Sequence, residues 1–89
     1  MPRDTFEIVN EKGLHARASA KFVEVVEAHD ATAIVSRDGL DATGDSLMGL
    51  LMLAASRGTT IEVETTGPDA DALLAALGVL VADKFGEGM

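Results

Sequence analysis

The segment Thr60–Thr66 restricts the fold more than any other part of the chain, because two kinds of side chain alternate along it. Ile61, Val63 and Thr65 occupy one set of positions, and Thr60, Glu62 and Glu64 the other. Successive side chains of a β-strand point to opposite faces, so the pattern predicts a strand with one buried and one wet face. The rest of the chain therefore has to cover one face of a sheet and leave the other in water.

Local periodicity and turn residues predict the remaining elements. The other predicted strands are Thr5–Asn10, Thr32–Ser36 and Leu40–Thr43, with Asp38-Gly39 joining the last two as a hairpin. The predicted helices are Ala16 to about His29, Leu47–Ala55, and one that follows Gly67-Pro68, carries apolar residues from Leu73 to Val81 and ends near Lys84 and Gly86. The order β-α-β-β-α-β-α predicts an α+β fold, in which three helices cover one face of a four-stranded, mostly antiparallel sheet.

Length and composition limit the classes of protein that fit. Eighty-nine residues allow a single domain, 1–89, with a modest core. The chain has no cysteine, which fits the reducing cytoplasm. No signal peptide is expected, and the longest apolar run, Leu47–Ala55, is too short to cross a membrane. A net charge of −8 argues against nucleic acid and anionic lipid as main partners, so protein partners are expected.

The segment Gly13-Leu14-His15-Ala16-Arg17 carries the chemistry that the sequence suggests. If a helix begins at Ala16, His15 is its cap, and the amides of Ala16 and Arg17 point toward whatever the ring carries. A phosphoryl group there would meet free N–H donors, and the Arg17 guanidinium could add further hydrogen bonds. Lys12 and Lys21 make the area locally positive. The alternative is that His15 is only a polar loop residue.

The predicted helix over Leu47–Ala55 has no polar face, which suggests a docking surface. If Leu50 and Leu53 point into the core, the apolar residues left near the surface are Leu47, Met48, Leu51 and Met52. Methionine side chains adapt to partners of different shape. The alternative is that the whole helix is simply buried.

Two segments resemble the HPr family, the histidine-containing phosphocarriers of the bacterial phosphoenolpyruvate-dependent phosphotransferase system (PTS). Gly13-Leu14-His15-Ala16-Arg17 is similar to its active-site signature, and Asp45-Ser46-Leu47-Met48-Gly49-Leu50 to the segment around its regulatory serine. The resemblance implies an open-faced β-sandwich. It also implies that Nδ1 of His15 accepts a phosphoryl group from enzyme I and donates it to an enzyme II A-type domain, while Arg17 steadies the group.

The resemblance further implies that Ser46 is a target of HPr kinase/phosphorylase, although a serine at this position can equally be a plain helix N-cap. Many members have proline where this chain has Ala18, which affects the rigidity of the first turn. Two alternative functions stay open: a carrier of the nitrogen-related regulatory branch of the PTS, and a non-catalytic binding module. Neither a cofactor nor a metal is expected, because the chain lacks a nucleotide-binding loop and a ligand cluster. A monomer is expected.

Overall fold

Residues 2–87, which the computed structural model describes, form a four-stranded sheet with three helices. The strands are β1 (Arg3–Glu7), β2 (Thr32–Arg37), β3 (Leu40–Thr43) and β4 (Thr60–Thr66). The helices are α1 (Ala16–Glu27), α2 (Leu47–Met52) and α3 (Ala70–Ala82), and a short turn, Lys84–Gly86, follows α3. Within these residues the strands pair antiparallel in the order β1-β4-β2-β3, which confirms the predicted fold class and element order.

Strand β4 lies in the middle of the sheet, and its alternation decides which face is covered. Ile61, Val63 and Thr65 are buried, whereas the residues between them are half-buried or exposed on the open face. The Thr65 hydroxyl donates to the Ala70 carbonyl at 2.8 Å, so this buried polar group has a partner. The apolar side chains buried most completely with β4 are Ile8, Phe22, Val35, Leu50, Leu53, Leu73, Leu77, Val81 and Phe85. The two-faced strand predicted from the sequence is confirmed.

Helix α3 packs on β1 and β4, and Gly78 makes that contact close. A Cβ at this position would lie 3.2 Å from the ring of Phe6 on β1. Glycine in a helix interior costs about 1 kcal/mol relative to alanine. The close approach of Phe6 gives the glycine a packing role. Among residues 2–87, no helix is both long and apolar enough to cross a membrane.

Several predicted boundaries were wrong. The first strand is Arg3–Glu7, not Thr5–Asn10, because regular β4 pairing stops at Thr60, opposite Glu7. Beyond it, Asn10 is buried in a loop. The second helix ends at Met52, not Ala55: Ala54 has a φ of 52°, and the Ala55 carbonyl accepts the Leu14 N–H at 2.8 Å. A left-handed residue cannot continue an α-helix.

Candidate phosphoryl-transfer site

His15 is the N-cap of α1, as the sequence predicted. Helix α1 begins at Ala16, and the extended backbone of His15 (φ −77°, ψ −177°) turns its ring over the first turn. The His15 Nδ1 accepts a hydrogen bond from the Arg17 N–H at 3.2 Å. The side chain is 27% exposed, so one ring nitrogen caps the helix while the ring remains accessible.

The loop before His15 is fixed by a contact with the segment after α2. Leu14 donates its N–H to the Ala55 carbonyl at 2.8 Å. Gly13 has a φ of 65°, and a Cβ there would lie only 2.5 Å from the same carbonyl oxygen. The Ser19 hydroxyl donates to the Leu14 carbonyl at 3.1 Å and is fully buried, so it supports the loop. The loop before His15 is therefore held by the segment after α2 and by the first turns of α1.

Glu87 is a site residue that the sequence analysis missed. One carboxylate oxygen contacts the His15 Nε2, and the other accepts from the Asn10 Nδ2 at 2.8 Å. Asn10 is fully buried, and its Nδ2 also donates to the Gly13 carbonyl at 2.8 Å. The structure thus brings together two distant parts of the sequence, residues 10–15 and Glu87, around one imidazole.

The turn after α3 carries Glu87 back to His15. Lys84, Phe85 and Gly86 all have positive φ angles (56°, 54° and 75°), which reverses the chain. Phe85 is fully buried, and the Lys21 ammonium donates to its carbonyl at 2.6 Å. Phe85 was the sequence signal that could have predicted this return of the chain, because a large apolar residue just beyond a helix tends to be buried in the core.

Charged side chains surround the exposed edge of the site. A cavity of about 270 Å³ beside His15 is lined by Glu11, Lys12, Arg17, Lys21, Gly86 and Glu87. The hydrogen bond from Asn10 is the main cause that lowers the pKa of Glu87 below its ordinary value, and His15 and Lys12 act in the same direction. Partial burial opposes this shift. Glu87 is therefore ionised at neutral pH and stands beside an imidazole at the edge of a cavity lined by three cations and two carboxylates.

The second predicted site lies at the start of α2. Ser46 is its N-cap, and the Ser46 hydroxyl accepts from the Gly49 N–H at 3.1 Å. Leu47, Met48 and Met52 are 41%, 68% and 73% exposed, and Leu51 is half-buried. Leu50 and Leu53 are buried, which is the condition under which the sequence predicted an exposed apolar surface. Leu47, Met48, Leu51 and Met52, here called the α2 patch, therefore form an exposed apolar surface.

The second histidine, His29, contacts the end of α1. His29 follows α1, and its Nδ1 contacts the Val25 carbonyl at 2.8 Å, in the helix-ending position proposed from the sequence. One ring nitrogen of His29 is therefore engaged with the end of α1. In the described range, residues 2–87, no three His, Cys, Asp or Glu side chains are arranged to hold a metal ion.

Comparisons with known proteins agree with this geometry. The family model of the PTS HPr component phosphorylation site matches residues 2–83. The phosphocarrier protein HPr of Cupriavidus necator is 44% identical over 88 residues, which are 99% of this chain and 98% of that protein. The chain belongs to the HPr family of phosphocarrier proteins.

Other HPr relatives extend the comparison. The phosphocarrier protein NPr of Escherichia coli K12 is 40% identical over 86 residues, 96% of each chain. The crystal structure of HPr-C-His from Thermoanaerobacter tengcongensis matches with a TM-score of 0.95 and 34% identity over 100% of both chains. The crystal structure of an HPr dimer from the same organism matches with a TM-score of 0.77 and 34% identity, over 98% of this chain and 100% of that one. HPr and NPr relatives are both present, so similarity alone does not assign a branch of the PTS.

Proposed function

We propose that this HPr-family chain carries a phosphoryl group on His15, accepting it from the phosphohistidine of enzyme I and donating it to an enzyme II A-type domain. The observation that carries the proposal is the position of His15 at the start of α1, with Nδ1 facing the Arg17 N–H at 3.2 Å. The amides of Ala16 and Arg17 lie in the first turn of α1, where N–H groups have no partner within the helix, and such groups bind anions.

The proposed transfer needs positioning and charge more than covalent machinery. The lone pair of Nδ1 forms the new P–N bond, and the P–N bond of the donor breaks with its electron pair returning to the donor ring. The Arg17 N–H that now meets Nδ1 can then donate to a phosphoryl oxygen. The Arg17 guanidinium lines the adjacent cavity and can bind the same group. Lys12 and Lys21 add positive charge.

The α2 patch is the proposed docking surface for enzyme I and for enzyme II A-type domains. Its support is the exposure of Met48 and Met52, which are large apolar side chains on a helix that touches α1. Exposed apolar patches of this kind mark protein-binding surfaces. The same face can serve successive partners, since methionine adapts its shape.

Ser46 is the proposed site of regulatory phosphorylation by an HPr kinase/phosphorylase. Its side chain is half-buried at the start of α2, directly before Leu47 and Met48. A phosphate there adds a charge of about −1.5 to −2. Beside Asp45 and the α2 patch, this charge would weaken the approach of a partner.

A carrier of the nitrogen-related regulatory branch is the second candidate. The chain is 40% identical to E. coli NPr and 44% identical to C. necator HPr, and these similar values support both carrier functions. In that case the chemistry at His15 is the same, and the phosphate signals through protein contacts instead of driving sugar uptake. A non-catalytic binding module fits less well, because both His15 and Arg17 are present.

The test is intact mass after incubation with phosphoenolpyruvate and enzyme I from the same organism. We expect one acid-labile phosphate on the wild-type chain and on His29→Ala, and none on His15→Ala. His29 is the matched control, because it is the only other histidine of the chain. Comparing the sugar-branch and nitrogen-branch forms of enzyme I as donors distinguishes the two carriers by rate.

Two results would contradict the proposal. If an enzyme I of proven activity leaves the wild-type chain unmodified, the binding-module function is favoured. If His15→Ala accepts the phosphate as well as the wild type, another residue is the acceptor. We also propose that the protein is a monomer, since a carrier that exchanges partners through one face needs only that face free. The proposed location is the cytoplasm, and the proposed transfer uses no bound cofactor.

A further inference from the structure

Asn10 is buried in an arrangement that does not serve stability alone. Its Nδ2 donates to the Gly13 carbonyl and to Glu87, both at 2.8 Å, while its Oδ1 has no hydrogen-bond partner among residues 2–87. A buried carbonyl without a partner costs folding free energy. Turning the amide over would direct Oδ1 at two other oxygens, which is worse. Asn10 is thus committed to holding Glu87 and the loop that carries His15.

Glu87 has independent support from the turn that precedes it. Three consecutive positive φ angles, the buried Phe85 ring and the Lys21 contact with the Phe85 carbonyl all fix the chain just before Glu87. The Glu87 side chain is only 14% exposed. A carboxylate that was merely a solvated surface group would not need these contacts.

Building on the proposed phosphocarrier function, we propose that Glu87, held by Asn10, is a positioning residue that keeps the ring proton of His15 on Nε2 and so leaves Nδ1 as the nucleophile. Two separate contacts assign the same tautomer. An ionised carboxylate only accepts hydrogen bonds, so Nε2 has to donate to Glu87. The Arg17 N–H only donates, so Nδ1 has to present its lone pair.

This arrangement accounts for the proton during transfer. When Nδ1 forms the P–N bond, the proton already on Nε2 stays there, and the ring gains positive charge. Glu87 then faces a cationic ring across Nε2, which stabilises the product. Nδ1 and Nε2 lie on different edges of the imidazole, so the carboxylate does not occupy the phosphoryl position. Lys12, Arg17 and Lys21 line the adjacent cavity and offset its negative charge.

The experiment combines imidazole ¹⁵N NMR of the full-length chain with the rate of phosphoryl acceptance from phospho-enzyme I. The variants are Glu87→Ala and Glu87→Gln, and the matched control is Glu11→Ala, which removes a carboxylate lining the same cavity. In the wild type we expect His15 to be the Nε2–H tautomer with a protected Nε2 proton. Glu87→Ala should lose the protection and slow acceptance about tenfold, the effect of losing a hydrogen bond to a charged group.

The conservative variant separates positioning from structure. In Glu87→Gln the amide oxygen can still accept from Nε2, while the amide nitrogen replaces the oxygen that accepts from Asn10. We therefore expect the protected proton to return and the rate to recover only in part. Glu11→Ala should keep the Nε2–H tautomer and the protected proton of the wild type, because the carboxylate that contacts Nε2 belongs to Glu87. The inference is overturned if Glu87→Ala keeps the wild-type spectrum and rate, if Glu87→Gln matches Glu87→Ala in both, or if Glu11→Ala loses the protected proton as well. A wild-type chain that accepts no phosphate from active enzyme I would instead overturn the proposed function, while the spectra still decide where the proton lies.

Discussion

His15 and Ser46 are both helix N-caps, yet their surroundings differ. In each, a side-chain atom accepts from a backbone N–H, at 3.2 Å for His15 and 3.1 Å for Ser46. His15 begins a helix of twelve residues, and Ser46 begins one of six. Three cations line the cavity beside His15 together with two carboxylates, whereas Asp45 and the exposed residues Leu47 and Met48 adjoin Ser46. A cap therefore does not make a phosphate carrier by itself; the charge and the tertiary contacts around it decide what an added phosphate does.

The strongest test of this comparison removes the guanidinium beside His15. We expect Arg17→Ala to slow phosphoryl acceptance about 100-fold, a typical loss for one donor that stabilises developing charge. Stopped reactions with phospho-enzyme I measure the rate. Lys12→Ala, which removes another cation from the same cavity, is the control and should have a smaller effect. If the two variants lose equal factors in rate, the overall positive charge of the cavity matters and the specific hydrogen bonds of the Arg17 guanidinium do not.

Gly13→Ala tests whether docking of the loop sets His15 apart from Ser46. A Cβ at Gly13 would be strained at φ 65° and would lie 2.5 Å from the Ala55 oxygen. We expect the free energy of unfolding to fall by about 2–3 kcal/mol. Denaturant titration measures it. Gly39→Ala has the same kind of strain, with φ 81° but no atom within 4 Å, and should cost less. A Gly39→Ala cost as large as that of Gly13→Ala would argue against the clash.

Two substitutions of Ser46 separate the stabilising effect of the helix cap from the effect of a negative charge at the same position. Ser46→Ala removes the acceptor for the Gly49 N–H and should lower the free energy of unfolding by about 1 kcal/mol. Ser46→Asp keeps a cap acceptor, so its stability should stay near that of the wild type. Its phosphoryl acceptance should slow, because the new charge adjoins the α2 patch. Thermal melts measure the stability of both variants, and transfer from phospho-enzyme I measures their rates. A Ser46→Asp variant that accepts the phosphoryl group as fast as the wild type would contradict the proposed effect of charge at this cap.

Ala54 connects the two regions, since it lies between α2 and the carbonyl that holds Leu14. Its φ of 52° suits glycine better than alanine. We expect Ala54→Gly to raise the free energy of unfolding by about 0.5–1 kcal/mol. Ala72→Gly, at an exposed position within α3, should lower it instead. Denaturant midpoints of the two variants should therefore move in opposite directions.

The smallest expected effect is a dependence of stability on pH that belongs to Glu87. Its pKa in the folded chain is lowered from 4.5, chiefly by the hydrogen bond from Asn10. A lowered folded pKa adds stability that is complete above the unfolded pKa and is lost as pH falls through the folded pKa. The stability difference between the wild type and Glu87→Gln should therefore shrink below about pH 4.5. A difference that stays constant from pH 7 to pH 3 would contradict the assignment.

The fold and the local half of the site could be predicted from the sequence. Alternation over residues 60–66 placed β4 correctly, and the start of α1 at Ala16 put His15 at a cap. These features depend on neighbours within a few positions of the sequence. The contact of Glu87 with His15 spans 72 positions, and it depends on consecutive left-handed residues, including Lys84 and Phe85, that no local preference favours. The early end of α2 was missed because it depends on the bond between Leu14 and Ala55.

The uncovered face of the sheet is a convenient handle for attaching the protein to a sensor. Thr5 lies on that face, exposed and paired with Glu62, while the helices occupy the other side. The chain contains no cysteine, so a Thr5→Cys variant would carry one thiol and couple in one orientation. An immobilised carrier would then present its helical layer to the solution, where binding of partners could be followed directly.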